Sequence, residues 1–174
     1  KSVSKNFLDV LAHGLQQPYQ NLKYATLLVG DRGIGKTQLW EIIEKLYGGP
    51  KYCIWLKTRD LVGRFRGWMH NKSNIFVNEI EITGNDRAGQ IHVLKDLIDG
   101  TNHTVETKGV DVFQIKNHFR LFASSNEMQQ QLIEQDKTNR RWFVVECLML
   151  REEIVKKYPT HFAELDNFKK DEHK

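Results

Sequence analysis

Hydrophobic residues along the chain follow two alternating spacings. Short apolar runs typical of buried strands lie at 25–29, 52–56, 74–80, 119–126 and 142–147. Apolar residues at helical spacing occur between these runs, at 7–15, 37–47, 61–69 and 91–98. The mixed pattern from Arg151 onward predicts further helix. Strands that alternate with helices predict an α/β fold with a mostly parallel sheet covered by helices on both faces.

One segment departs from this alternation. Residues 103–115 alternate polar and apolar side chains around Lys108 and Gly109, which predicts an antiparallel hairpin with its turn at those two residues. The predicted organisation is a helical lead-in at 1–24, an α/β core at 25–150 that carries the hairpin, and a helical tail at 151–174.

Composition narrows the class of protein. With 174 residues, 40% hydrophobic and 28% charged, the chain fits one soluble globular domain, and no apolar run is long enough to cross a membrane. It begins at Lys1 without the apolar core of a secretion signal, which predicts a piece of a longer protein. Cys53 and Cys147 stand far apart in apolar runs, which favours reduced thiols in an intracellular protein. The net charge of +4 favours an anionic partner such as nucleic acid.

The segment LLVGDRGIGKTQLW runs from a predicted strand through a glycine-rich loop into a predicted helix. Gly30, four further residues and then Gly35, Lys36 and Thr37 form the phosphate-loop signature in the context that it requires. Glycines let backbone N–H groups turn toward a polyphosphate, and the N-terminal end of the helix attracts the same negative charge. Lys36 is predicted to reach the β- and γ-phosphates and Thr37 to bind Mg²⁺. A glycine-rich turn without a ligand is the alternative. The predicted ATP-binding residues are Gly30, Asp31, Arg32, Gly33, Ile34, Gly35, Lys36, Thr37 and Gln38.

A phosphate-loop enzyme needs an acidic residue at the end of a second strand, because that residue helps to hold Mg²⁺ and orients the attacking water. Glu79 is the candidate, and a solvated glutamate at a strand end is the alternative. Asn78 precedes it where many such enzymes carry an acid, so Asn78 is predicted to act on the metal through water. Glu81 could compensate if the strand continues far enough to place it on the same face.

Three further polar residues flank predicted strands. Asn126 ends the run LFASSN, where an amide can hydrogen-bond both a γ-phosphate and a lytic water, although Asn also forms turns and helix caps. Arg140 and Arg141 precede the strand WFVVEC, and a guanidinium at the edge of a sheet can reach the γ-phosphate of a neighbouring subunit. A salt bridge or a solvated pair is the alternative for the arginines.

The ordered segments GDRGIGKT, IFVNEI, LKDLIDGTNHTVETKGVDV, FASSN and NRRWFVV resemble the superfamily 3 helicases, AAA+ motors of viruses, phages and mobile elements. The sequence is most similar to the poxvirus-type and phage primase-helicase motors, over a match from Phe7 to Val145. The resemblance implies an AAA+ P-loop NTPase with a central five-stranded sheet and a DNA-binding β-hairpin. It also implies a homo-oligomeric ring, commonly a hexamer, that hydrolyses ATP with Mg²⁺ and translocates on single-stranded DNA. Such a motor works in the cytoplasm of the host cell, or in the nucleus for a nuclear virus.

The resemblance also implies residue roles. Glu79 is the catalytic acid, Asn126 is the polar sensor, and the pair before the last strand holds the arginine finger. Lys108 lies where the family's DNA-gripping hairpin has a basic tip, and Gly109 stands where some relatives have histidine. The helical collar of the ring lies outside this stretch, which predicts a largely monomeric, weak ATPase when the stretch is isolated. The implied catalytic residues are Lys36, Glu79, Asn126, Arg140 and Arg141.

Three other functions remain open from the sequence. An AAA+ loader or initiator would remodel DNA without processive unwinding. A P-loop kinase acting on a small metabolite would need an acceptor pocket and a lid, and it would leave the hairpin at Lys108 without a role. A nucleotide-binding module that has lost catalysis is favoured by Asn78 and disfavoured by Glu79.

Overall fold

The computed structural model describes residues 2–107, 109–128, 133 and 140–170. Two 3₁₀ turns lie at Gly49–Lys51 and Gly67–Met69. None of the described helices is long and apolar enough to span a membrane. In chain order the helices and strands are α1 (Val3–Gln16), β1 (Ala25–Gly30), α2 (Lys36–Leu46), β2 (Cys53–Leu56), α3 (Thr58–Leu61), β3 (Asn74–Val77), α4 (Arg87–Asp99), β4 (Asn102–Thr107), β5 (Val110–Lys116), β6 (Arg120–Ser125), β7 (Trp142–Cys147), α5 (Arg151–Lys157) and α6 (His161–Lys170).

Five strands form one parallel sheet in the order β2-β3-β6-β1-β7. β6 lies between β1 and β3, with Ser124 opposite Leu28 and Phe122 opposite Phe76. Parallel neighbours need long crossover connections, and the helices in these connections cover the faces of the sheet. The predicted α/β fold with a central sheet of five strands is confirmed. The carboxyl ends of β1, β6 and β3 therefore lie side by side at one edge.

The sheet is buried on both faces by two hydrophobic clusters. Trp40 of α2 is fully buried and packs on Phe122, whose ring stacks on Phe76 with a centroid distance of 5.2 Å. Leu28 joins this cluster, whereas Leu27 joins the cluster on the other face, beneath α4 and the β4–β5 pair. Side chains alternate across a strand, so adjacent leucines serve opposite faces. This explains why β1 is continuously apolar.

The two cysteines are free thiols. Cys53 is buried in β2, and burial raises its pKa to about 12. Cys147 ends β7, and burial raises the pKa of that thiol as well. Thiols with raised pKa values remain protonated at neutral pH and are poor nucleophiles.

The predicted helix at 61–69 is wrong. α3 ends where this helix was expected to begin, and the second 3₁₀ turn lies at its expected end. Gly63 and Gly67 lower the helix propensity of the segment. The backbone N–H of Arg66 instead donates to the carbonyl of Glu106 in β4, which ties the segment to the neighbouring strand. The apolar spacing here reflects contacts with the core and not one helical face.

β4 and β5 form a separate antiparallel pair joined by residues 108–109. Gly109 has a φ of +78°, which glycine adopts readily in a tight turn. Val105 is fully buried and Phe113 packs against the same cluster, so one face of the pair is fixed to the core. Lys108, the predicted tip residue, lies outside the described residues.

The helical lead-in is fixed to the core by Arg120 of β6. This residue is 3% exposed, and its guanidinium donates to the carbonyls of Pro18 at 3.1 Å and Gln20 at 3.2 Å. Tyr47 Oη at the end of α2 donates to the carbonyl of Leu11 in α1 at 3.1 Å. α1 therefore packs as part of the same unit as the sheet.

We expect the stability of the fold to depend on pH through His103. Its ring is buried between β4 and α4, and burial lowers its pKa even though Asp96 Oδ2 lies 3.5 Å from Nδ1. The folded pKa is below the unfolded value of about 6.5, so unfolding takes up a proton as the pH falls. The free energy of unfolding should therefore decrease from about pH 7 toward about pH 5.

Urea denaturation across this pH range measures the effect. His103→Gln should flatten this part of the profile, whereas His92→Gln, at an exposed position of α4, should leave it unchanged. An unchanged slope in the His103 variant would assign the pH dependence to other groups.

Candidate nucleotide site

The glycine-rich loop joins the carboxyl end of β1 to the first turn of α2. Gly33 and Gly35 have φ angles of +76° and +96°, which strain any residue that carries a Cβ. A Cβ on Gly30 would approach the Ile34 side chain to 2.6 Å and that of Cys147 to 2.9 Å. The side chain of Ile34 is buried and anchors the loop to the core. Gly33 and Gly35 are thus required by the backbone conformation of the loop, and Gly30 by the lack of space for a side chain.

Lys36, the first residue of α2, folds its side chain back over the loop. Its ammonium donates to the carbonyls of Gly30 and Asp31, the latter at 2.8 Å, and to Asn126 Oδ1 at 2.9 Å. Partial burial lowers the pKa of this ammonium, although Asp31 and Glu79 nearby act in the opposite direction. The side chain is thus held at the centre of the loop by groups that a phosphate could replace.

Glu79 follows β3 with a φ of +53°, in the left-handed region that glutamate rarely adopts. β3 therefore stops short of the predicted strand end. β6 holds both neighbours of this residue: Ser124 Oγ donates to Asn78 Oδ1 at 3.3 Å, and the N–H of Ile80 donates to the Ser124 carbonyl at 2.9 Å. Hydrogen bonds from β6 therefore hold the strained backbone on both sides of Glu79.

Asn126 follows β6, the strand between β1 and β3. Its Oδ1 accepts from Lys36 Nζ at 2.9 Å, and its Nδ2 donates to Glu79 Oε1 at 3.0 Å. One amide thus contacts the predicted phosphate lysine and the predicted catalytic acid at once. We call Lys36, Asn126 and Glu79 the polar row.

A cleft of about 690 Å³ opens over the polar row. Gly30, Asp31 and Ile34 do not line it, and Gly30 and Asp31 instead contact Lys36 through their carbonyls. The other predicted site residues in this part of the chain line the cleft: Arg32, Gly33, Gly35, Lys36, Thr37, Gln38, Asn78, Glu79 and Asn126.

The cleft offers oxygen donors that suit Mg²⁺. Thr37, Asn78 and Glu79 present a hydroxyl, an amide and a carboxylate, and Mg²⁺ prefers such donors together with phosphate oxygens and water. Across the described parts of the chain, no group of three or more His, Cys, Asp or Glu residues is placed to hold a metal. A hydroxyl, an amide and one carboxylate would leave several coordination positions of Mg²⁺ to water or phosphate oxygens. Glu81 does not line the cleft, and its N–H donates to Thr58 Oγ1 at 3.2 Å.

Arg140 and Arg141 lie at the opposite edge of the sheet, just before β7. β7 runs parallel to β1, so its six residues separate the pair from the cleft edge by roughly 16–20 Å. Arg141 Nε donates to Asp99 Oδ2 at 2.7 Å and is largely buried. Arg140 Nη2 lies 3.9 Å from the same oxygen, and its side chain is 68% exposed. The structure does not bring this pair to the cleft of its own chain.

The tail contributes three cleft residues that no sequence motif marks, Arg151, Phe162 and Asp166. Arg151 Nη1 donates to the Gly33 carbonyl at 2.6 Å, and its guanidinium lies 4.7 Å from the centroid of the Phe162 ring. Both side chains line the cleft. Their position follows from the packing of α6 along α2, where Gln38 Nε2 donates to Asp166 Oδ1 at 2.8 Å. The mixed pattern of the tail predicts helix but not this contact.

A larger cavity, of about 1220 Å³, lies near the start of β6. It contains Tyr19, Tyr52 and Arg120 but none of the predicted site residues. A reactive site needs a few convergent polar groups as well as volume, and the larger cavity lacks the polar row, so the smaller cleft is the better candidate.

The fold and the cleft define an α/β domain with a five-stranded parallel sheet flanked by helices and a polar cleft at the carboxyl ends of its strands, consistent with a P-loop-like domain. The chain belongs to DUF5906, a family of unknown function whose model matches residues 28–141. No curated protein matches the sequence.

Solved structures of similar fold include apo forms of the NrS-1 C-terminal region. The structure of region 305–718 has a TM-score of 0.72 and 21% identity, and the match covers 95% of this chain and 40% of that one. The A form of this region has a TM-score of 0.73 and 20% identity, over 97% and 40% of the two chains. The present chain thus spans about 40% of the length of these structures. At this identity the similarity establishes a shared fold.

We expect Lys36→Ala to weaken Mg-ATP binding by about tenfold or more, because it removes the ammonium placed to meet the phosphates. Isothermal titration calorimetry measures the affinity. Lys57→Ala, at an exposed lysine before α3 that does not line the cleft, is the control. Equal affinity of the Lys36 variant and the unmodified chain would contradict the assignment.

Proposed function

We propose that this chain is the ATP-dependent motor domain of a DNA helicase, of the superfamily 3 AAA+ type, from a viral, phage or mobile-element replication protein. The observation that carries the proposal is the polar row, Lys36, Asn126 and Glu79, connected by hydrogen bonds of 2.9 and 3.0 Å. The strand order supports it, because β6 places the predicted sensor between the phosphate loop and the predicted acid.

Five cleft residues would take part in ATP hydrolysis in this proposal. Lys36 would exchange the loop carbonyls for oxygens of the β- and γ-phosphates. Thr37 and Glu79 would hold Mg²⁺, with Asn78 acting through water, and the ion would supply positive charge against the phosphate oxygens. Glu79 would also orient the attacking water and accept its proton, while Asn126 would hydrogen-bond the γ-phosphate and this water.

The arginine pair requires a second subunit in this proposal. β7 separates the pair from the cleft of its own chain, so a guanidinium could reach a nucleotide across a head-to-tail interface of a homo-oligomeric ring. Arg140 is the better finger because its side chain is exposed, whereas Arg141 is held by Asp99 at 2.7 Å. The ring is commonly a hexamer in the helicases that the sequence resembles.

Single-stranded DNA is the proposed partner of the β4–β5 pair. Val105 and Phe113 fix one face of the pair to the core, on either side of the segment that carries Lys108 in the sequence. Lys108 would contact one backbone phosphate beside Gly109, and six such tips would line the pore of a hexamer. Backbone contacts carry no base information, so this binding should be independent of sequence and sensitive to salt.

ATP hydrolysis with and without single-stranded DNA, on this chain and on the longer protein, tests the proposal. We expect Mg²⁺-dependent hydrolysis that DNA stimulates, together with strand displacement by the longer protein. DNA-stimulated hydrolysis without strand displacement would favour an AAA+ loader or initiator. Transfer of phosphate to a small metabolite would favour a kinase. Absence of both hydrolysis and transfer would contradict the catalytic proposal.

We expect Glu79→Gln to bind Mg-ATP but to lower the hydrolysis rate by about 10²-fold or more, because it keeps the side-chain shape and removes the base. Calorimetry and phosphate release measure the two effects. Glu81→Gln is the matched control, since Glu81 does not line the cleft. Full activity of the Glu79 variant would move the catalytic role to another residue.

Mixing two inactive variants of the longer protein tests action between subunits. Arg140→Ala and Lys36→Ala should each be inactive, and mixtures should regain part of the ATPase activity because some interfaces combine an intact loop with an intact arginine. Lys36→Ala mixed with Lys36→Ala,Arg140→Ala should not recover and serves as the control. No recovery at any ratio of the first pair would place the arginine within its own subunit.

A further inference from the structure

The last helix, α6, begins at the phosphate loop and runs along α2. Gln38 is paired with Asp166 at 2.8 Å, and Glu41 with Lys169 at 2.8 Å. At the start of α6, the Phe162 ring lies 3.4 Å from the position that a Cβ on Gly35 would occupy. These contacts along the helix fix Phe162 beside the loop.

Phe162 differs in chemistry from the rest of the cleft. It is the aromatic side chain among the described residues that line the cleft, and the other lining residues are polar, charged or glycine. One face of its ring carries the planar guanidinium of Arg151 at 4.7 Å. An aromatic face that accepts a planar cation can also accept a nucleobase, because stacking does not depend on the hydrogen-bonding edges of the base.

We propose that Phe162 is the platform on which the base of the bound nucleotide stacks, and that Arg151 leaves this ring to contact the phosphates. This inference rests on the proposed function, because it takes the triphosphate to lie at Lys36. A nucleoside that extends from the loop past Gly35 reaches the start of α6. Arg151 already hydrogen-bonds the loop at the Gly33 carbonyl, so its guanidinium lies beside the loop that would hold the phosphates.

Comparison of ATP with inorganic tripolyphosphate separates the two contributions. Both ligands carry the phosphate chain, and ATP alone carries the base. Calorimetry with Mg²⁺ measures both affinities on this chain. Compared with the unmodified chain, Phe162→Ala should bind ATP about tenfold more weakly and bind tripolyphosphate with the same affinity. Phe162→Trp should restore ATP binding. Arg151→Ala should lower the affinities for ATP and for tripolyphosphate by similar factors, because Arg151 is proposed to contact the phosphates that both ligands carry.

Phe168→Ala is the matched control. Phe168 lies on the same helix, is 54% exposed and does not line the cleft, so both affinities should stay unchanged. Thermal unfolding of each variant reports whether α6 still packs.

The outcomes distinguish this inference from the proposed function. An unmodified chain that binds neither ligand overturns the nucleotide site and the platform together. If the unmodified chain binds ATP and Phe162→Ala binds it with the same affinity, the stacking role of Phe162 alone is overturned. An equal loss of both ligands in Phe162→Ala also overturns it, because such a loss means that the ring supports the loop and does not contact the base.

Discussion

The parallel pairing of β6 with β1 on one side and β3 on the other is the constraint on which the candidate site depends. Val29 lies opposite Ser125, and Val77 lies opposite Ala123, so the three strands end at nearly the same level. Asn126 therefore leaves the sheet between Lys36 and Glu79. Any other order of these three strands would separate Asn126 from Lys36 or from Glu79 by at least one further strand spacing, about 4.8 Å. The amide could then not contact both partners.

Local sequence was sufficient to predict much of this arrangement. Buried parallel strands are continuous apolar runs, and the phosphate-loop signature requires specific residues within eight positions, so both leave a local pattern. The contacts within the polar row are not local, because Lys36 and Asn126 are 90 positions apart and Asn126 and Glu79 are 47 apart. The spacing of these residues alone does not predict that Lys36, Asn126 and Glu79 lie together; the resemblance to helicase motors does.

Other features depend on tertiary contacts that leave no pattern in the sequence. The apolar spacing at 61–69 indicated a helix, yet two glycines and a hydrogen bond to β4 hold the segment in bends and a 3₁₀ turn. The left-handed backbone of Glu79 arises from the hydrogen bonds that β6 makes on either side of it. Arg151 reaches Gly33 across 118 positions, which no local rule predicts.

The carboxylate of Asp99 connects two parts of the molecule mechanically. It closes α4, binds Arg141 at the start of β7, and is followed almost directly by the first residue of β4. A displacement of Arg141 would therefore act, through Asp99, on the residues that lead into β4. One face of the β4–β5 pair is packed on the core through Val105 and Phe113, so a displacement of its first residues would also disturb this packing. In the ring proposed above, this one carboxylate would connect the face that meets a neighbouring subunit with the start of β4.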